Sequence, residues 1–162
     1  MRLTISHPNA KNTGVSAEFD VCKPYRGPLW SCDEGILLVS LYRQKTAADN
    51  DGHEATFDLD TPIVVTFKPI EIAEILMVLG GSVPLLMHNG REGIFHNDPD
   101  STTSVTLHRS EAPDKPGFLL GVGHTPKADP NERRYITLYI APAEAFMLRT
   151  ALMAKMGEIC FG

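Results

Sequence analysis

Ile63-Val64-Val65-Thr66-Phe67-Lys68-Pro69-Ile70-Glu71-Ile72-Ala73-Glu74-Ile75-Leu76-Met77-Val78-Leu79 and Ile136-Thr137-Leu138-Tyr139-Ile140-Ala141-Pro142-Ala143-Glu144-Ala145-Phe146-Met147-Leu148-Arg149-Thr150-Ala151-Leu152 follow one pattern, displaced by 73 residues (136 − 63). In each, an apolar residue at every second position (Ile63, Val65, Phe67; Ile136, Leu138, Ile140) runs into Pro69 or Pro142, and Glu71 or Glu144 follows two positions later. Apolar spacing then switches to three and four. Period two marks a half-buried strand, and the longer period marks an amphipathic helix. Proline suits the first helical position, because its missing N–H would have had no intrahelical partner and its φ is already helical. The glutamate can reach back to the helix N-terminus, where the dipole also favours a negative charge. The chain therefore contains two strand-to-helix units. Ile72, Ile75, Leu76 and Leu79 form the apolar stripe of the first helix, and Ala145, Leu148, Leu152 and Met156 that of the second.

Outward from these units, residues 1–6 alternate like a strand, and further strands are expected at 14–23, 35–44, 55–60 and 62–68, before a first helix ending at Gly80-Gly81. The second half repeats the order with strands at 83–88, 102–109, 118–124 and 133–140, then a helix over 143–156. The stretches 97–101, 113–117 and 125–131 are dense in Pro, Asp, Asn and Gly, the residues that favour tight turns. Short strands closed by a helix in each half predict an α+β fold. We expect two packed antiparallel four-stranded sheets, an internally duplicated ββββα plan (1–81 and 82–162) within one 1–162 domain. The tail Ile159-Cys160-Phe161-Gly162 is expected to dock on a sheet or on a neighbouring copy.

A chain of 162 residues with 43% hydrophobic residues is long enough to bury a substantial core. Its longest apolar stretch, 70–79, is interrupted by Glu71 and Glu74 and is far too short to span a bilayer. Met1-Arg2-Leu3-Thr4-Ile5-Ser6 leads into His7-Pro8 without the pattern of a signal or transit peptide, which points to a cytoplasmic protein. Cys22, Cys32 and Cys160 are odd in number and lack metal-type spacing, so reduced, structural cysteines are expected. A formal net charge of −5 argues against a protein that grips duplex nucleic acid through its phosphates. A single-strand binder stays compatible with it, because base stacking carries much of that affinity.

If Ile136, Leu138 and Ile140 face the core, then Arg133, Tyr135, Thr137 and Tyr139 lie on the opposite face of their strand. Two tyrosines beside an arginine form a platform on which bases can stack, or alternatively an ordinary strand surface or subunit contact. By the same alternation Lys68 points outward beside Thr66, and Ser104, Thr106 and His108 lie opposite Val105 and Leu107. In the first half Tyr42 and Ser40 share one face, with Leu37, Val39, Leu41 and Arg43 on the other; both faces are partly apolar, which leaves the buried one open. Lys11, Arg43 and Lys45 are the cations expected near a strand-lined groove. Trp30 either stacks on a base or packs beneath its Pro/Gly loop. A metal cluster of His88, His96 and Asp98, with or without His124, is the enzyme-like alternative, but its spacing matches no strong ligand signature. Phosphate loops, nucleophile elbows and paired-cysteine motifs are absent from the sequence, so no catalytic residue, cofactor or metal is expected.

Five strings in order resemble the Whirly family of single-stranded-DNA-binding proteins, within the wider superfamily of single-strand-binding transcriptional coactivators. They are Phe67-Lys68-Pro69-Ile70-Glu71, Phe95-His96-Asn97-Asp98-Pro99, Gly117-Phe118-Leu119-Leu120, Asn131-Glu132-Arg133 and Phe146-Met147-Leu148-Arg149-Thr150-Ala151, within a similarity running from about Pro62 to Gly157. Lys11-Asn12-Thr13-Gly14 echoes only part of the family's lysine-rich N-terminal motif, Asn97 is an insertion into its Phe-His-Asp-Pro string, and the aromatic-rich segment before the helix is largely missing. The resemblance implies two four-stranded sheets with a C-terminal helical clasp, tetrameric assembly and single strands laid across sheet surfaces. The resulting expectation is a non-enzymatic single-stranded-DNA binder of low sequence preference, acting in transcription regulation, recombination or repair and assembled as a dimer or tetramer. The alternatives are an RNA binder of the same fold and a protein-interaction module without nucleic acid.

Overall fold

The computed structural model describes residues 1–26 and 31–161, so Trp30 lies outside the described residues. Strands β1 (Arg2–His7), β2 (Val15–Cys22), β3 (Ile36–Thr46) and β4 (Ile63–Phe67) form an antiparallel sheet in that order. Helix α1 (Pro69–Leu79) follows. Strands β5 (Ile94–Asn97), β6 (Ser101–Arg109), β7 (Phe118–Pro126) and β8 (Arg134–Ile140) form a second antiparallel sheet, again in sequence order, and α2 (Pro142–Phe161) closes the chain. The fold is α+β. Among the described residues no helix is long and apolar enough to cross a membrane.

Period-two alternation is realised on both sheets. Ala17, Phe19, Leu37, Val39, Leu41, Ile63, Val65 and Phe67 of the first, and Ile94, Val105, Leu107, Leu120, Val122, Ile136, Leu138 and Ile140 of the second, are buried in one shared core. Ile72, Ile75, Val78 and Leu79 of α1 and Ala145, Leu148, Leu152 and Ile159 of α2 complete it. Leu76 and Met156, expected in the stripes, only flank this core.

Four sequence-based boundaries shift. The strand expected at 55–60 contracts to Thr56–Phe57, which pairs with the end of β3 across a register irregularity at Gln44 and Thr46. The strand expected at 83–88 is not the outer strand of the second sheet: Leu85 makes a single bridge to His108, and Met87–His88 pairs with Arg91–Glu92 as a two-residue hairpin. That outer position belongs to β5, four residues long between Gly93 and Asp98-Pro99 and too short to show clear alternation. The apolar tail is the last turn of α2, where Ile159 is buried and its carbonyl accepts the Gly35 N–H at 2.8 Å, while Phe161 is 91% exposed. A Cβ on Gly35 would lie 2.8 Å from the Ile159 Cα, so glycine is what lets the helix end approach β3.

The two glutamates of the repeated units behave alike. Glu71 accepts the Lys68 backbone N–H at 2.8 Å, and Glu144 accepts the Ala141 N–H at 2.8 Å, each satisfying a donor just ahead of its helix. Each carboxylate also takes a histidine from the edge strand of the sheet its helix does not continue: His96 on β5 meets Glu71 at 2.8 Å, and His7 on β1 meets Glu144 at 3.0 Å. A third pair, His88 and Glu74 at 2.7 Å, ties the Met87–His88 strand to α1. His88 and His96, two of the three histidines considered for a metal cluster, are thereby committed to helix carboxylates, and no three potential ligands converge among the described residues.

Glu71 is only 4% exposed, so Glu71→Ala leaves a half-buried histidine and a backbone N–H without their acceptor and is expected to cost about 2–3 kcal/mol. Glu144→Ala, at a more solvated site, is expected to cost about 1 kcal/mol. Urea midpoints at unchanged slope measure both; equal losses would show that burial does not set the strength of these clamps.

Candidate nucleic-acid interface

With inner faces consumed by the core, ligand chemistry is left to the outer faces, and these differ in charge. On the first sheet the outward positions include Glu18 and Asp20 of β2, beside Ser40, Tyr42, Val64 and Thr66. Asp20 is held by Arg2 at 3.1 Å, and the Tyr42 hydroxyl donates to Glu18 at 3.4 Å. On the second sheet the registers align Phe95, Ser104, Gly123 and Tyr135 in one row, Thr106, Gly121 and Thr137 in the next, and His108, Leu119 and Tyr139 beyond. No outward position of β5 to β8 in these rows carries a carboxylate.

The glycines shape this face. A Cβ on Gly121 would overlap the Tyr135 hydroxyl and come within 2.7 Å of Thr106 Oγ1; one on Gly123 would lie 3.2 Å from the Tyr135 ring and 3.7 Å from the Arg133 guanidinium. The Tyr135 ring therefore lies flat across β7 over two glycines, with Arg133 alongside it over Gly123. The ring is 44% exposed. Arg133 sits just before β8 rather than within it, and is exposed.

Beside Tyr135 a cleft of about 460 Å³ runs to the first sheet, lined by Asn12, Thr13, Arg43, Gln44, Tyr135 and Thr137 among others. Buried Gln44 builds its far wall. Its Oε1 accepts the Asn9 and Gly14 N–H groups at 2.8 and 3.1 Å, and its Nε2 donates to the Asn9 and Thr46 carbonyls at 2.8 and 3.1 Å. Asn9 Oδ1 accepts the Lys11 and Thr13 N–H groups, which fixes the loop carrying exposed Lys11. Arg43 spans the cleft and donates to the Tyr135 carbonyl at 2.7 Å.

The sequence-derived candidates thus divide. Lys11 lies on the loop walling the cleft beside Arg43 and Tyr135, and Arg133 joins them over Gly123. Tyr42 sits on the opposite side of the core, on the acid-bearing face. Lys45 is exposed past the end of the β2 pairing, where its charge helps hold the Asp58 carboxyl below its usual range, after the Thr61 hydroxyl and backbone N–H donors. Lys68 is exposed at the α1 N-terminus. His108 and Tyr139 share the far row of the second sheet; His108 Nδ1 lies 3.0 Å from the Arg109 carbonyl, while the Tyr139 hydroxyl donates to Pro116 at 2.6 Å and Lys115 lies 4.3 Å over its ring. Sequence reasoning named Phe95 only within a string, yet it is 63% exposed in the Tyr135 row. The alternating glycines of Gly121-Val122-Gly123 were the readable sign of a smooth outer face. Cys22 and Cys160 are unpaired, and burial pushes the Cys22 thiol up, which makes it a poor nucleophile.

Two antiparallel sheets sharing a core, each running through a proline into a helix, define a Whirly-like fold. The solved structures similar to this chain include WHY1 from Arabidopsis thaliana, at 16% identity and TM-score 0.66 over 99% of this chain and 88% of that one. The plant transcriptional regulator PBF-2 aligns at 15% identity and TM-score 0.63, over 97% of this chain and 82% of its own. MRP1/MRP2 of Trypanosoma brucei aligns at 17% identity and TM-score 0.62, over 100% and 94%. No protein-family model and no curated protein sequence matches the chain.

Gly121→Ala is expected to lift the Tyr135 ring off β7 while costing about 1 kcal/mol or less, since the displaced atoms are the free end of one side chain and a hydroxyl. Tyr135 ring resonances report the displacement and thermal melting the stability; an unmoved ring would mean the glycine floor does not set its pose.

Proposed function

We propose that this protein binds single-stranded DNA with low sequence preference through the outer face of its second sheet and the adjoining cleft, without enzymatic activity. The observation that carries this reading is an exposed tyrosine laid over Gly121 and Gly123, flanked by arginine, on a face whose outward rows lack carboxylates. Bases stack on Tyr135, and the hydroxyls of Ser104, Thr106 and Thr137 offer hydrogen bonds that ask little of base identity. Lys11 and Arg133 take phosphates. The similarity to a plant transcriptional regulator supports a role in transcription regulation, and equally admits recombination or repair.

Fluorescence anisotropy with a labelled single strand of about 30 nucleotides, the matching RNA and the duplex tests this at low and high salt. Single-strand DNA is expected to bind well ahead of duplex, and Tyr135→Ala to weaken binding about tenfold. Tyr42→Ala, on the acid-bearing face, is expected to change affinity less than twofold. Tighter RNA binding would transfer the site to ribose chemistry; no binding of either strand would leave the protein-interaction module as the better reading.

We further propose that copies associate through the helices, as a dimer or tetramer in which α2 acts as the clasp of a duplicated ββββα plan. Ile70 and Met77 of α1 and Phe146, Met147, Met153 and Phe161 of α2 are exposed. Most of the helix charges are committed elsewhere: Glu71, Glu74 and Glu144 to histidines, and Lys155, together with Lys23 from outside the helices, to Glu158. An exposed apolar layer of this kind is an interface signature. Phe146→Glu with Met153→Glu is expected to halve or quarter the mass seen by light scattering; an unchanged mass would move the interface elsewhere.

A further inference from the structure

Phe95 and Arg91 stand at the free edge of the second sheet, outside the cleft and on the far side of the sheet from β8. Four features make this more than a stray exposed aromatic. Phe95 occupies the same cross-strand row as Tyr135, three strand spacings away, about 14 Å between Cα atoms. Between them lie β6 and β7, which contribute Ser104 and Gly123 to that row and Thr106 and Gly121 to the next, so this part of the floor holds hydroxyls and glycines and no charge. Phe95, Arg91, Asn89, His88 and Gly93 line one concavity of about 360 Å³. His88 is held by Glu74, whereas the exposed Arg91 has no ion pair or side-chain hydrogen bond among the described residues.

The backbone fixes this edge. Asn89 and Gly90 both adopt positive φ, 50° and 75°, the geometry of a two-residue hairpin turn, and their flanking residues His88 and Arg91 pair. Gly93 at φ 82° brings the chain against β6, where a Cβ would lie 2.6 Å from the Val105 carbonyl. Arg91 is thus carried on a short turn close to an aromatic that faces solvent, in a chain whose net charge is −5.

We propose that Phe95 and Arg91 form a second nucleotide site, Phe95 stacking one base and Arg91 contacting the adjoining phosphate, so that the footprint on one copy reaches from Tyr135 to the Asn89–Gly90 turn. This rests on the single-strand reading above. An aromatic face with a neighbouring guanidinium is the minimal device for holding a nucleotide without reading its sequence. Tyr135 and Phe95 are then two stacking posts on one sheet, with a hydroxyl-lined span between them.

The test is photocross-linking of the wild-type protein to a single strand of about 20 nucleotides carrying 5-bromodeoxyuridine throughout, with peptide mapping, alongside anisotropy of Phe95→Ala and Arg91→Ala. Cross-links on Phe95 as well as Tyr135, and a loss of about tenfold in affinity for each variant, are expected. Cross-links confined to Tyr135, with both variants binding like wild type, would overturn the second site and leave the single-strand reading standing. Failure of the wild-type protein to bind or cross-link any strand would overturn both.

Discussion

One carboxylate at the start of each helix holds the two sheets to one another. Glu71 closes the first turn of α1 and grips His96 on the second sheet; Glu144 closes the first turn of α2 and grips His7 on the first. Each helix is thus fastened to the sheet it does not continue, through a side chain that its own N-terminus already needs as an acceptor. Both histidines lie on edge strands, so each contact ties the outermost strand of a sheet to the helix of the other unit. Apolar burial supplies the driving force for packing but is non-directional. The clamps supply a direction, and the cleft crossed by Arg43 keeps its shape only while the sheets keep their mutual setting.

Half of that clamp was legible in the sequence. The repeated Pro and Glu at a constant displacement of 73 fix the start of both helices, because capping is a matter of residues two or three positions apart. The histidine partners lie 25 and 137 residues away, and no local rule connects them. The same divide explains the strands. Long alternating runs such as Ile63 to Phe67 state their buried face outright, whereas β5 has only four residues in which Ile94 and Phe95 are both large and apolar. Nothing in Ile94-Phe95 says which one turns inward; pairing of Ile94 with Val105 decides it. The Ile36–Thr46 strand is ambiguous for a similar reason, since Leu38 and Tyr42 make its outer face nearly as apolar as its inner one.

For the candidate site, alternation along one strand placed Tyr135 and Thr137 outward, while their neighbours are set by register across strands. Tyr135 lies over Gly121 and Gly123 because the β7 to β8 pairing brings them together, and Phe95 enters the same row through β6. A list of outward residues does not distinguish an available ring from an occupied one: Tyr139, alike in sequence, has its hydroxyl bound to Pro116 and Lys115 over its face. Cations divide in the same way, since Arg2, Lys23 and Lys155 are spent on carboxylates and Arg134 on the Thr61 and Pro62 carbonyls.

The net charge of −5 and a nucleic-acid face are reconciled by where the acids sit. Glu71, Glu74 and Glu144 of the helices are bound to histidines, Asp20 to Arg2, and Glu158 to two lysines, and none of these acids stands in the outer rows of the second sheet. At physiological ionic strength a charge is screened beyond about 8 Å, so a strand in contact with that face responds to local groups rather than to the total. The total still matters for duplex DNA, which presents phosphates outward and keeps its bases stacked inside, leaving the tyrosine nothing to stack on. A single strand can turn its bases to the ring and needs only a few cations along its backbone. Preference for the single strand then follows from having a stacking face and few free cations, and adding lysines to such a protein would erode that preference even while it raised affinity.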